Sequence, residues 1–310
     1  LSPLGWVSDV AAILHAGLRP VFVDIDPITL GPASDQVLDK LSDETRAALV
    51  VHILGLNALS PELVEGCRTA GVPIIEDVCE SHGALFEGKR CGSIGYASNF
   101  SFYFAHHLTT IEGGAVCTND AEFADVVRML RSHGLVRESR SERKRTTFRE
   151  DFPELNSEFI FAHAARNNRP TELNGVLGRS QLPRLDANIE IRRRNFSRFM
   201  VQLDPAKYKN HYDVELSSNY AFIVVLQEPN WDLRDKVEET LRAKGIEFRR
   251  GLSGGGNQIR QPYLYAHLDG TSPTHFPNVD HVHHFGWYVG NHPQISETEV
   301  DRLCEILNGI

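Results

Sequence analysis

The sequence predicts an α/β protein, a mostly parallel central sheet followed by a small α/β C-terminal domain. Three observations carry this. Short runs rich in Val, Ile and Phe alternate with amphipathic segments through the first half, and strands separated by helices form layered, largely parallel sheets. The chain has 310 residues, which is long for a single core. A long amphipathic stretch near residue 185 then leads into a fresh strand–helix–strand order. These place a large domain at 1–185 and a smaller one at 186–310.

The elements follow in order. PVFVDID (20–26), AALVVHIL (47–54), VPIIEDV (72–78), SNFSFYF (98–104) and GAVCTN (114–119) read as buried strands, being short, apolar and bounded by turn residues. SPELVEGCRTAG reads as a helix that Ser60 caps and Gly71 ends. AEFADVVRMLRSHG reads likewise, with Asp120 as cap, basic residues in the last turn and Gly134 as stop. Residues 136–152, VRESRSERKRTTFREDF, are charged and aperiodic and read as a solvated loop, with a lid or partner-contacting loop as the alternative. LPRLDANIEIRRRNFSRFMVQL is the long amphipathic helix; NYAFIVVL and IEFRR are strands of the second unit, with DLRDKVEETLRAKG the helix between them. The first residue is Leu and begins mid-pattern, so an N-terminal part of the large unit is expected to lie outside this sequence.

Composition narrows the function. A net charge of −9 argues against a general nucleic-acid binder, which needs a basic face to displace counterions. The longest apolar runs are too short to span a bilayer, and no secretion signal opens the chain. Five scattered cysteines without CxxC spacing fit reduced thiols rather than disulfides or zinc. A cytoplasmic protein is the expectation.

Two acids stand out in IIEDVCESHGA. Asp77 follows a buried strand, at the carboxyl edge where α/β proteins gather their chemistry, and Glu80 lies three residues on. Asp77 reads either as a turn-forming acid or as a carboxylate that keeps a pyridinium nitrogen protonated. GLSGGGNQIRQP (251–262) looks like a phosphate loop but lacks the Gly-Lys-Ser/Thr ending and the GxGxxG phasing; a flexible turn is the plainer reading. Arg249, Arg250 and Arg260 beside it are candidates for a nucleotide diphosphate. DHVHH (280–284) matches no trusted metal spacing, and no metal is expected.

The runs EDVCESHGA, SFYFAHHLTTIEGGAVCTND, RSHG and NNRPTELNGVLGRSQL, in this order, resemble the DegT/DnrJ/EryC1/StrS family of sugar aminotransferases and dehydratases. PVFVDIDPITL and GIEFRRGL extend the likeness through nearly the whole chain. The resemblance implies the aspartate-aminotransferase-like fold (PLP-dependent transferase fold type I) and pyridoxal or pyridoxamine 5′-phosphate as cofactor. In the family's aminotransferases a lysine lies between the serine and the Glu-Gly-Gly of the central motif and bonds the cofactor. Here Ser101 matches the serine, His106 falls on the lysine position, His107 replaces an Asn and Ile111 replaces a Gly. An imidazole cannot form the imine that a primary amine forms, yet it moves protons near neutral pH.

The same Lys-to-His change marks the family's 3-dehydratases of deoxysugar and O-antigen biosynthesis. One kind acts on a CDP-sugar with an iron–sulfur cluster and a reductase; the other acts on GDP-4-keto-6-deoxymannose without a cluster. The cluster kind carries a cysteine group after the helix that here ends in RSHG, and no cysteine lies between Cys117 and Cys304. No iron–sulfur cluster is therefore expected. The implied substrate is a GDP- or CDP-4-keto-6-deoxyhexose that loses its C3 hydroxyl, with His106 as catalytic proton carrier and glutamate as the amino donor. A decayed or lysine-using aminotransferase and a non-catalytic sugar-nucleotide binder on the same fold are the alternatives.

The other sites carry over one at a time. Trp6 falls where an aromatic residue stacks on the pyridoxal ring, with a core Trp as the other reading. Asp77 resembles the acid at the ring nitrogen, Glu80 the residue by the ring hydroxyl and Ser101 a phosphate-binding serine. Asn167 matches an Asn that reaches the phosphate of the neighbouring subunit, which implies a homodimer with shared sites. His133 is also matched and is placed, with Arg250 and Arg260, on the substrate side. The family's Gly/Ser/Thr-rich phosphate turn would precede Trp6 and is not in this sequence.

Overall fold

In the computed structural model, which describes residues 1–310, the chain forms ten α-helices and nine strands. In order these are α1 Val7–His15, α2 Ser34–Asp39, β1 Ala48–Val51, α3 Pro61–Thr69, β2 Ile74–Asp77, the short hairpin β3 Leu85–Phe86 and β4 Lys89–Arg90, β5 Ala97–Ser101, β6 Gly114–Thr118, α4 Ala121–Arg131, α5 Glu142–Asp151, α6 Glu172–Gln181 and α7 Leu185–Gln202. The remainder is β7 Ala221–Val225, α8 Trp231–Ala243, β8 Phe248–Arg250, α9 Pro277–Phe285, β9 Gly286–Gly290 and α10 Glu297–Asn308.

The central sheet runs β1-β2-β5-β6, with β1, β2 and β5 parallel and β6 antiparallel at the edge. The caps fall as the sequence predicts: the Ser60 hydroxyl accepts from Leu63 N at 3.1 Å, and Asp120 accepts from Glu122 N and Phe123 N. The C-terminal sheet is antiparallel, in the order β7-β9-β8.

Three expectations change. Residues 20–26 are extended but join no ladder; Val21 O accepts from the amino terminus and Val23 N donates to Leu1 O. Phe22, Val23 and Ile25 are still buried, while Asp24 between them turns to the start of α9 and accepts from Asn278 N and Val279 N. The segment 136–152 is no loop. It contains a short 3-10 turn and α5, whose first turn Ser141 caps and whose Lys144 pairs with Asp125 at 2.8 Å. No residue of α5 is buried, so the apolar stripe that reveals most helices is missing. The centre of the C-terminal sheet is β9, between two glycines, which the sequence reading did not pick out.

The largest core draws Leu4, Val10, Ile25 and Ile53 together with Phe196, Phe222, Trp287 and Leu303, so it spans both sides of residue 185. The crossing depends on Gly55. Its φ is +97°, and a Cβ there would sit 2.4 Å from Asn219 N, which only glycine avoids. Ser218 N donates to Gly55 O at 2.8 Å and Tyr220 N to Leu54 O at 3.0 Å. No helix is long and apolar enough to cross a membrane.

Candidate active site

Val51, Asp77 and Ser101 are the last residues of three parallel strands, with Val51 paired to Asp77 and Asp77 to Asn99. At such a carboxyl edge the loops diverge and leave a crevice. A cavity of ≈ 860 Å³ opens there, with Trp6, Asp77, Glu80, Ser101 and His106 on its wall. Five predicted residues thus meet in one place.

The acids differ in their partners. Asp77 accepts from Cys79 N and from Asn99 Nδ2, both at 2.8 Å. Glu80 accepts from Leu54 N at 3.0 Å and from the Ser253 hydroxyl at 3.1 Å. Burial outweighs both donors and pushes its carboxyl up to about 7. Asp9, in the first turn of α1, is buried and borders the same cavity, and its Oδ2 has no hydrogen-bond donor. Sequence reasoning missed Asp9, since an acid in a first turn reads as a partner of the helix dipole.

The two histidines face opposite ways. His106 lies in the β5–β6 loop, edge-on to the rings of Tyr103 and Tyr220 at 5.4 and 5.6 Å, and its Nδ1 is buried without a partner. Burial lowers its pKa, so the ring is neutral at pH 7. His107 is turned inward and stacks on His82 at 5.7 Å, and its Nε2–H donates to Ser218 O at 3.1 Å. Burial holds it well below the usual histidine range. Its part is to tie the motif loop to the segment that carries Tyr220.

The second unit supplies the opposite wall through Tyr220, Arg249, Ser253 and Tyr288. Tyr288 lies on β9 and Tyr220 just before β7, far apart in the chain, and neither had a signal in the sequence. Of the candidate arginines, only Arg249 borders this cavity. Arg250, the next residue, pairs with Glu238 at 3.2 Å and lies outside the lining. Arg260 forks onto Asp280 at 2.7 and 2.6 Å and is likewise outside the cavity lining. The Gly-rich loop is not an open phosphate cradle: Gln258 Nε2 donates to Gly5 O and Gly254 O, and a Cβ on Gly254 would lie 2.0 Å from Gly5 O.

His133 and Asn167 do not join their own chain's cavity. His133 is exposed in a left-handed turn with φ +60°. Asn167 is exposed beside it, in a β-bridge with Ser132. Within DHVHH, His281 Nε2–H donates to Leu226 O at 2.7 Å and His283 Nδ1 accepts from Asn257 N. His52, Glu76 and Cys91 form a buried cluster near the cavity. Its hydrogen-bonding capacity is already used: His52 Nδ1 accepts from Ala58 N, its Nε2–H donates to Glu76, and Glu76 also accepts from Gly92 N, Ile94 N and Gly95 N.

Comparison with known proteins gives concordant results. The model of the DegT/DnrJ/EryC1/StrS aminotransferase family matches residues 1–308. The GDP-4-keto-6-deoxy-D-mannose 3-dehydratase of Escherichia coli O55:H7 is 30% identical over 308 residues, which cover 98% of this chain and 78% of the relative. A solved structure of the E. coli GDP-4-keto-6-deoxy-D-mannose-3-dehydratase with bound hydrated PLP superposes with a TM-score of 0.88 at 28% identity, covering 99% of this chain and 78% of that one. A variant of a GDP-4-keto-6-deoxymannose-3-dehydratase with bound GDP-perosamine superposes with a TM-score of 0.85 at 27% identity, over 99% and 79% of the two chains.

Proposed function

The chain belongs to the DegT/DnrJ/EryC1/StrS aminotransferase family, and on that footing we propose that it is a PLP-dependent sugar-nucleotide 3-dehydratase acting on a nucleotide-linked 4-keto-6-deoxyhexose, with GDP as the favoured nucleotide. The observation that carries this is the cavity wall itself: His106 stands at the lysine position of the motif, and no lysine borders the cavity. An aminotransferase of this family needs that amine.

The residues present fit the cofactor. The exposed Trp6 offers a flat face, the Asp77 carboxylate suits a cationic ring nitrogen, and Glu80, which ionises near 7, suits a ring hydroxyl. The Ser101 hydroxyl would take a phosphate oxygen. When bound, the cofactor supplies an electron sink for charge that develops as the C3 hydroxyl leaves.

The protein's own part is positioning and proton transfer. His106, neutral because it is buried, takes up a proton at an imidazole nitrogen and returns it. Having no amine, it neither bonds the cofactor nor completes an amino transfer. Arg249 would meet the diphosphate, and glutamate would be the amino donor. The exposed Phe159, Phe161, Leu173 and Val176 support a homodimer, in which Asn167 and His133 would serve the neighbour's site.

The test is to incubate the protein with pyridoxal phosphate, glutamate and a panel of GDP- and CDP-4-keto-6-deoxyhexoses. Loss of the 3-hydroxyl is expected, and His106→Lys should abolish it. Cofactor trapped on a lysine by borohydride would instead support transamination, and unchanged dehydration in the lysine variant would remove His106 from its role.

A further inference from the structure

We propose that the Gly-rich loop 251–257 buttresses the cavity wall, with Ser253 a positioning residue that aims the Glu80 carboxyl group into the cavity. Ser253 acts through Glu80; its consequence for a bound ring hydroxyl rests on the cofactor reading above.

Glu80 is held from both halves of the chain. Leu54 N donates to its Oε2 at 3.0 Å, and the Ser253 hydroxyl donates to its Oε1 at 3.1 Å. Each oxygen thus has one donor and keeps a lone pair for the cavity that Glu80 borders. No cation pairs with Glu80: Arg249, on the same wall, is engaged by Glu247 at 2.9 Å. Asp9, Asp77, Tyr220 and Tyr288 border the cavity too, and none is hydrogen-bonded to Glu80. Two neutral donors therefore set the direction of this carboxyl group, and only one of them is a side chain.

The loop that carries Ser253 is built to hold it there. Ser253 is buried, and Leu252 before it sits at φ +58°, ψ −140°. Such a conformation costs an L-residue energy and persists only where its surroundings enforce it. Here Gly251 N donates to Gly286 O at 2.7 Å and Gly256 N to Ser253 O at 3.1 Å. Gln258 clamps the loop onto residues 3–5, just ahead of Trp6: its backbone N donates to Pro3 O at 2.9 Å and its Nε2 to Gly5 O at 3.0 Å. The Tyr263 hydroxyl in turn donates to Gln258 Oε1 at 3.1 Å. The seat leaves no room for a Cβ at Gly254, whose φ is +62°. The glycines thus let a buried serine of the second unit approach an acid of the first.

The experiment is a pH titration of the unligated protein by NMR, with carboxyl-13C glutamate and the Glu80 signal assigned through Glu80→Gln. Ser253→Ala should move the Glu80 step upward by about one pH unit, the effect of losing one hydrogen bond to a charged group. Gly254→Ala should move it the same way with the hydroxyl still present, because the loop loses its seat. A Glu80 step unmoved in Ser253→Ala would overturn the contact. In a second arm, Ser253→Ala should weaken pyridoxamine phosphate binding, followed by absorbance, by at least about tenfold. In a Glu80→Ala background the same change should cost nothing further. Equal losses in both backgrounds would make Ser253 merely structural and overturn the positioning role. Failure of the unaltered protein to bind cofactor would instead sink the cofactor reading, and the carboxyl titration would still decide the contact.

Discussion

At the scale of single residues the site shows how neighbours in sequence acquire different chemistry. His106 and His107 share a peptide bond, but one ring borders the cavity and the other is locked between His82 and Ser218 O. Because burial lowers the pKa of His106, the acidic limb of the kcat profile should fall below the ordinary histidine value of about 6.5. A limb at or above that value would count against His106 as the base. Stability follows the same sign. Burial, then His106, lower the pKa of His82 from 6.5 to about 4, so the unfolded chain binds more protons in that window. Its contribution is full above 6.5 and lost as pH falls toward 4. Glu80 runs the other way: raised from 4.5 to about 7, it contributes fully below 4.5 and loses that as pH rises to 7. Thermal melts of the unligated protein should therefore show a shallower rise between pH 4 and 6.5 in His82→Gln than in the unaltered chain.

At the scale of elements, β2 divides its labour by the two-residue alternation of a strand. Asp77 faces the cavity, whereas Glu76 is fully buried and accepts from three backbone N–H groups of the 92–95 turn and from His52. Glu76→Ala leaves those donors unpaired and should destabilise the fold by about 3 kcal/mol or more, measured by denaturant unfolding. What could be read beforehand follows from the same physics. β1, β2, β5 and β6 were legible as short apolar runs between turns, and Asp77, Glu80, Ser101 and His106 were legible because they sit inside those runs and the motif beside them. α5 was not, having no apolar face, and β9 was masked by its flanking glycines. Asp9, Tyr220 and Tyr288 reach the cavity only through tertiary packing. Of the candidate arginines, which one borders the cavity is set by tertiary packing, which no composition reveals.

At the scale of the whole molecule, Asn167 and His133 lie outside the cavity of their own chain. If sites are shared between two copies, His106→Asn and Asn167→Ala proteins should each lose activity and regain part of it when mixed, because a mixed dimer contains one intact site. Sedimentation should report a dimer in each case. The absence of recovery would place Asn167 outside the neighbour's site. The core offers a further check. Since Leu4, Val10 and Ile25 pack with Phe222, Trp287 and Leu303, limited proteolysis near residue 185 should not release a stable C-terminal fragment.

That shared core also sets an order of events during synthesis. Asp24 and the apolar residues around it leave the ribosome early, but the helix start that Asp24 caps and much of the core they join lie beyond residue 220. Domains ordinarily fold as their own segments emerge. Here the core around Phe22, Ile25 and Leu30 stays incomplete until residues beyond 220 emerge, so the nascent chain has reason to depend on chaperone cover until then.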